Sequence, residues 1–148
     1  MRADILVKSA KKLNSINLNP RFNSSAIDEF LLIFLIAAKS KGISKFKNLG
    51  ELNKKESPRL DIAINFLRMI GVKVKRNKND IKIYGKPNLS LDGAYLIKNF
   101  LKDHRIFMMS CVAALTLGGK WKIFDKDSIN TSFPSFIKIL KKLGAKIN

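Results

Sequence analysis

Cysteine and histidine are almost missing: Cys111 and His104 are the only ones in 148 residues. A lone thiol excludes a disulfide framework and a thiolate metal site, and a lone imidazole excludes a metal site built from histidines. Cys111 stands in Met108-Met109-Ser110-Cys111-Val112-Ala113-Ala114-Leu115, where a small buried thiol on a helix is the expected role. Acidic residues are scarce, 11 against 29 basic ones, for a formal charge of +18. Such a balance first suggests nucleic acid. Only six of the basic residues are arginine, however, and the lysines run along the whole chain. There is no arginine-rich block and no basic stripe interleaved with aromatics, so nucleic acid is disfavoured and a general attraction for small anions remains. Long apolar runs are missing as well. The longest, Phe30 to Ala38, is too short to cross a bilayer and follows Asp28 and Glu29, so no membrane is expected. No signal or transit segment opens the chain, and the reading is cytosolic.

What is present is enough for one ordinary domain with a real core, at 46% hydrophobic and 27% charged residues. The chain is organised around Glu51-Leu52-Asn53-Lys54-Lys55-Glu56-Ser57-Pro58-Arg59. Ser57 suits an N-cap and Pro58 a first helical position, with Leu60, Ala63, Leu67 and Ile70 following at helical spacing. A helix start offers unpaired N–H groups and the positive end of a dipole. Lys55 and Arg59 would make it an anion site, and Glu56 is a carboxyl able to move a proton beside it. The plain alternative is a solvated, charged loop.

Short strands are expected at 4–8 and 13–18, separated by a turn around Lys11 and Lys12. A helix apolar nearly all round should run from Ala26 to Lys39, be deeply buried and end at Gly42. A strand over 43–49, a helix from Ser57 to Ile70 stopped by Gly71, and a hairpin of 72–74 with 81–84 follow. The spacing also predicts a short helix over Tyr95–Lys102. Then come a buried helix over 104–117, a strand at 121–124, and a helix entered through Ser132-Phe133-Pro134 and ended by Gly144.

Landmarks recur. Asp28 and Asp103 are 75 residues apart, Gly42 and Gly118 are 76, Pro58 and Pro134 are 76, and Gly71 and Gly144 are 73. Their common order suggests a duplicated βαβαββ-type module, with units of roughly 1–85 and 86–148. The fold class expected is α/β (α+β). An acidic residue opens the buried helix of each unit: Asp28 in one, Asp103 beside Arg105 in the other. For Asp28 the alternative is a carboxylate merely favoured by the helix dipole.

Several of these residues form a known pattern: Ile27-Asp28-Glu29-Phe30, Gly42, Glu51-Leu52, Lys55-Glu56-Ser57-x-Arg59, Asp103-His104-Arg105, Ser132-Phe133-Pro134-x-Phe136 and Leu143-Gly144-Ala145. In that order they resemble the C-terminal part of EPSP synthase, over essentially the whole of 1–148. The resemblance implies βαβαββ repeats of an inside-out α/β barrel, six in a full enzyme of two domains, of which one to two stand here. It implies transfer of the enolpyruvyl group of phosphoenolpyruvate to the 5-hydroxyl of shikimate 3-phosphate, with release of phosphate and no cofactor. Carried over by position, Asp28 binds the shikimate ring and accepts a proton, and Glu56 gives a proton to the methylene carbon and takes it back. Lys55 contacts substrate, Arg59 and Arg105 clamp phosphoenolpyruvate, and His104 and Asp103 support them from behind. Thr131 stands where many relatives carry a lysine for phosphoenolpyruvate. Pro58 and Asn53 also depart from the usual pattern, as does Leu31 after Asp28-Glu29-Phe30.

Relatives hold shikimate phosphate largely through their N-terminal two thirds, so a separate N-terminal part is the implied partner. A related transferase acting on a UDP-sugar is disfavoured by the Lys-Glu-Ser-x-Arg spacing. A non-catalytic basic module that binds anions or nucleic acid is the alternative from another class. A third is an incomplete domain that needs further repeats to fold well.

Overall fold

The computed structural model describes residues 4, 6, 8–10 and 12–147. Helix α1 spans Phe30–Lys39, strand β1 Ile43–Phe46 and helix α2 Arg59–Met69, with a 3-10 helix at Gly50–Lys54 between the last two. Strands β2 (Lys73–Asn77), β3 (Asp80–Tyr84) and β4 (Leu91–Ile97) follow. Helix α3 (His104–Leu117), strand β5 (Gly118–Ile123), a 3-10 helix at Lys126–Ile129 and helix α4 (Phe136–Lys142) complete the chain.

The strands form two sheets. In one, β3 lies between β1 and β2, antiparallel to both; in the other, β4 and β5 run parallel. Alternation divides the first sheet. Phe46, Val74, Ile81 and Ile83 are buried, while Lys45, Lys75 and Lys82 share one register row on the exposed face. The buried face meets α1 and α2, where Phe30, Phe34 and Phe46 pack with ring centroids 5.2 to 6.2 Å apart. On the second sheet Tyr95 stacks on Trp121 at 4.6 Å, and Trp121 on Phe66 at 5.9 Å, so the two sheets share one core.

Several expectations change. Residues 95–97 are strand rather than helix: Tyr95, Leu96 and Ile97 pair with Trp121, Lys122 and Ile123. A short apolar run does not distinguish the two periods, and here the parallel partner and the Tyr95–Trp121 stack decide. Beyond it, Asn99, Leu101 and Lys102 turn the chain at positive φ into α3. Helix α1 starts at Phe30, because 23–29 form turns that leave Asp28 free of the helix, and its Leu32 and Ile36 are exposed. The strand at 43–49 stops at Phe46, since Asn48 sits at φ 58° and a 3-10 helix follows. Residues 13–18 make only isolated parallel bridges, Asn14 to Lys41 and Asn17 to Lys45. The strand expected at 4–8 includes Ile5 and Val7, and the turn after it includes Lys11; these lie outside the described residues, while Asp4, Leu6 and Lys8 carry no strand. Helix α4 begins two residues after Pro134, at Phe136.

The largest local change is at α2. Neither Ser57 nor Pro58 caps it by side chain; the Asn53 amide oxygen accepts from Leu60 N at 3.0 Å and Asp61 N at 3.3 Å. A residue on the preceding 3-10 helix therefore closes the N-terminus, and Ser57 turns inward.

Candidate active site

Arg59, at the first position of α2, is the organising group. Its side chain is 1% exposed, and all three nitrogens of the guanidinium are occupied. Nε donates to Asp103 Oδ2 at 2.8 Å, Nη1 to Asp28 Oδ1 at 3.1 Å, and Nη2 to Glu56. The three carboxylates differ in freedom: Asp103 is 0% exposed, Asp28 44% and Glu56 55%. The Asp103 pair is thus fixed and desolvated, while the other two carboxylates face solvent.

Asp103 caps α3, accepting at Oδ1 from Arg105 N at 2.9 Å and Ile106 N at 3.4 Å, and at Oδ2 from Ser57 Oγ at 2.8 Å. Burial alone pushes this carboxyl up most strongly. The hydrogen bonds and charge of Arg59, the Ser57 hydroxyl and the Arg105 amide together outweigh it, so the group lies below the ordinary aspartate value. The Arg59 guanidinium is displaced upward: burial opposes its charge, and the three carboxylates more than compensate.

Arg105, one residue into α3, completes the cluster. It donates to the Asp28 carbonyl oxygen at 2.8 Å, reaches Asp28 Oδ2 at 3.2 Å and lies 3.4 Å from Glu29. Asp28 therefore bridges the two arginines, one on each carboxylate oxygen. Four carboxylates, of Asp28, Glu29, Glu56 and Asp103, surround two guanidinium groups, so the cluster is locally anionic by two charges within a chain of +18. An incoming anion would compete with these carboxylates for the arginines. Asp28 and Glu56 are the two on Arg59 with room to move.

The remaining expected residues divide. His104 joins Asp28, Arg105, Ser132 and Phe133 along a groove of about 400 Å³ over α1 and α3. Thr131 is exposed on the turn before Ser132 and is not among the groove-lining residues. Lys55 is exposed and lines a separate hollow of about 210 Å³ with Asn23, Asn48 and Glu51; among the described residues its ammonium forms no ion pair. Two polar roles escaped the sequence: the inward Ser57 hydroxyl and the Asn53 cap. Both are ordinary residues whose partners lie far along the chain or beyond a turn. Among the described residues no group of three or more His, Cys, Asp or Glu is gathered to hold a metal ion.

Residues 2–140 match the family model of EPSP synthase (3-phosphoshikimate 1-carboxyvinyltransferase). The chain belongs to the EPSP synthase family. Curated 3-phosphoshikimate 1-carboxyvinyltransferases are similar to it throughout. That of Geobacter metallireducens is 35% identical over 97% of this chain and 32% of its own length. That of Paramagnetospirillum magneticum is 32% identical over 99% of this chain and 32% of its own. The chain thus spans about a third of these relatives. Among solved structures, EPSP synthase from Acinetobacter baumannii superposes with a TM-score of 0.75 at 26% identity, covering 88% of this chain and 30% of that one. The mixed helix and strand architecture is accordingly an EPSP-synthase fold fragment, and the arginine-carboxylate cluster is carried on it.

Proposed function

We propose that this chain is the C-terminal third of an enolpyruvyl transferase that acts on phosphoenolpyruvate and shikimate 3-phosphate in the cytoplasm. A separate N-terminal part would be needed for turnover, and the chain would supply two βαβαββ-type units, roughly 1–85 and 86–148. The observation that carries this reading is the convergence of Arg59 and Arg105 on Asp28, with Glu56 on the other side of Arg59. Two planar forks suit an anion carrying a carboxylate and a phosphate.

In this scheme phosphoenolpyruvate enters and replaces Asp28 and Glu56 as the partner of the guanidinium groups. The displaced carboxylates are then free for proton transfer. Asp28 takes the proton of the 5-hydroxyl as the hydroxyl oxygen bonds to the enol carbon, and Glu56, which picks up a proton from solvent once released from Arg59, delivers it to the methylene carbon. The tetrahedral intermediate loses phosphate, which takes up the proton held by Asp28 and leaves as hydrogen phosphate, while Glu56 takes a proton back from the methyl group and the double bond is restored. Arg59 and Arg105 hold the charge as it moves from carbon to phosphate. Lys55 contacts substrate from the neighbouring hollow, His104 and Asp103 hold the clamp, and Thr131 would meet substrate from the exposed turn before Ser132, in place of a lysine.

Genetic complementation tests this reading. The chain, co-expressed with the N-terminal two thirds of the Geobacter relative, should let a strain lacking the synthase grow without aromatic amino acids. A Glu56→Gln chain should not. Growth with Glu56→Gln would remove that carboxyl from the chemistry. The register row of Lys45, Lys82 and Lys75 favours one second reading, a basic module binding polyanions. It predicts steeply salt-dependent binding with no preference for phosphoenolpyruvate.

A further inference from the structure

The Lys55-Glu56-Ser57-Pro58-Arg59 segment holds one polar group that the scheme above does not use, the Ser57 hydroxyl. It is 2% exposed and donates to Asp103 Oδ2 at 2.8 Å, the same oxygen that accepts from Arg59 Nε at 2.8 Å. The other carboxylate oxygen is taken by two amides of α3, so both oxygens of Asp103 carry two donors each. A carboxylate so saturated cannot rotate without breaking bonds in a buried site. The guanidinium is planar, so fixing Nε also fixes where Nη1 and Nη2 point, which is toward the half-exposed Asp28 and Glu56.

We propose that Ser57, acting through Asp103, is a positioning residue that sets the guanidinium plane of Arg59 for an incoming enolpyruvyl phosphate. This rests on the reading of Arg59 as the anion clamp. Without the hydroxyl, Oδ2 keeps a single donor and the carboxylate can turn about its bonds to α3. Arg59 then swings with it, and its outward fork no longer meets the anion squarely. Threonine keeps the donor; alanine does not.

The test uses the full chain, with phosphoenolpyruvate as probe in calorimetric titration and the side-chain Nε–H signal of Arg59 followed by nitrogen-15 NMR. Ser57→Ala is expected to raise the dissociation constant about tenfold, while Ser57→Thr stays within about twofold of the parent. The Nε–H signal should be exchange-protected in the parent and Ser57→Thr, and shifted and faster-exchanging in Ser57→Ala. A folded Ser57→Ala chain with parental affinity and an unmoved signal overturns the proposal. If Ser57→Ala does not fold, Ser57→Cys, nearly isosteric and a weak donor, takes its place with the same two outcomes. A parent chain that ignores phosphoenolpyruvate even with the N-terminal two thirds of the Geobacter relative supplied would instead remove the clamp reading; the Nε–H comparison would still decide whether Ser57 orients Arg59.

Discussion

Removing Asp103 should unfasten two helices at once. In Asp103→Ala the N-cap of α3 goes, which costs about 1 kcal/mol. Arg59, 1% exposed, loses its one fully desolvated counter-ion. Breaking a buried pair costs about 3–5 kcal/mol, and the low end applies because Asp28 and Glu56 remain on the guanidinium. The expected loss is about 4 kcal/mol, a large share of the ~5–15 kcal/mol that holds a typical domain. Urea unfolding followed by circular dichroism should show it as a lower midpoint at unchanged slope. The loss also has a pH signature. Asp103 lies below its ordinary value in the folded chain, so its contribution is complete above the unfolded pKa of about 3.9 and fades as the pH falls toward the folded one. The stability curves of the parent and Asp103→Ala should therefore converge only in acid. A loss below about 1 kcal/mol at neutral pH, or a gap that does not change on acidification, would refute the view of Asp103 as a buried linchpin.

Other perturbations separate chemistry from scaffold. With the N-terminal part supplied, Glu56→Gln should cut turnover at least a hundredfold without weakening substrate affinity. Its effect on stability should stay below about 1 kcal/mol, because the Glu56 pair is half exposed. Arg105→Ala should raise the Michaelis constant for phosphoenolpyruvate far more than that for shikimate 3-phosphate; equal effects would count against a phosphoenolpyruvate clamp. Cys111 is pushed up to about 11 by burial, so a thiol reagent should modify it slowly in the native chain and quickly in urea. Gly85→Ala should destabilise by about 2–3 kcal/mol, since its Cβ would run into the Ser40 carbonyl and lie 2.7 Å from that of Ala37. A midpoint like the parent's would show that this crossing can relax.

The sequence made some of this legible and hid the rest for physical reasons. Helix α3 could be read to its ends because Asp103 is a local cap and Gly118 a local stop, at φ 84°. The hairpin of β2 and β3 was equally local. Strand β4 was not, because its partner β5 lies across α3 and only the pairing separates strand from helix at Tyr95–Ile97. At the site, the motif spacing brought Asp28, Glu56, Arg59, Asp103 and Arg105 to attention together. It could not reveal that all three guanidinium nitrogens of Arg59 already face carboxylates, since that depends on three acidic residues arriving from different parts of the chain. Ser57 was assigned to the wrong task for the same reason: a Ser-Pro pair reads as a cap, and the acceptor that draws the hydroxyl inward lies 46 residues away.

Phosphate release from phosphoenolpyruvate plus shikimate 3-phosphate tests the central claim most directly. It should be measured with this chain alone, with the N-terminal two thirds of a related synthase alone, and with both together. Release only on mixing, abolished by Glu56→Gln, is the predicted result. No release from a mixture whose two parts are both folded and associated would contradict it.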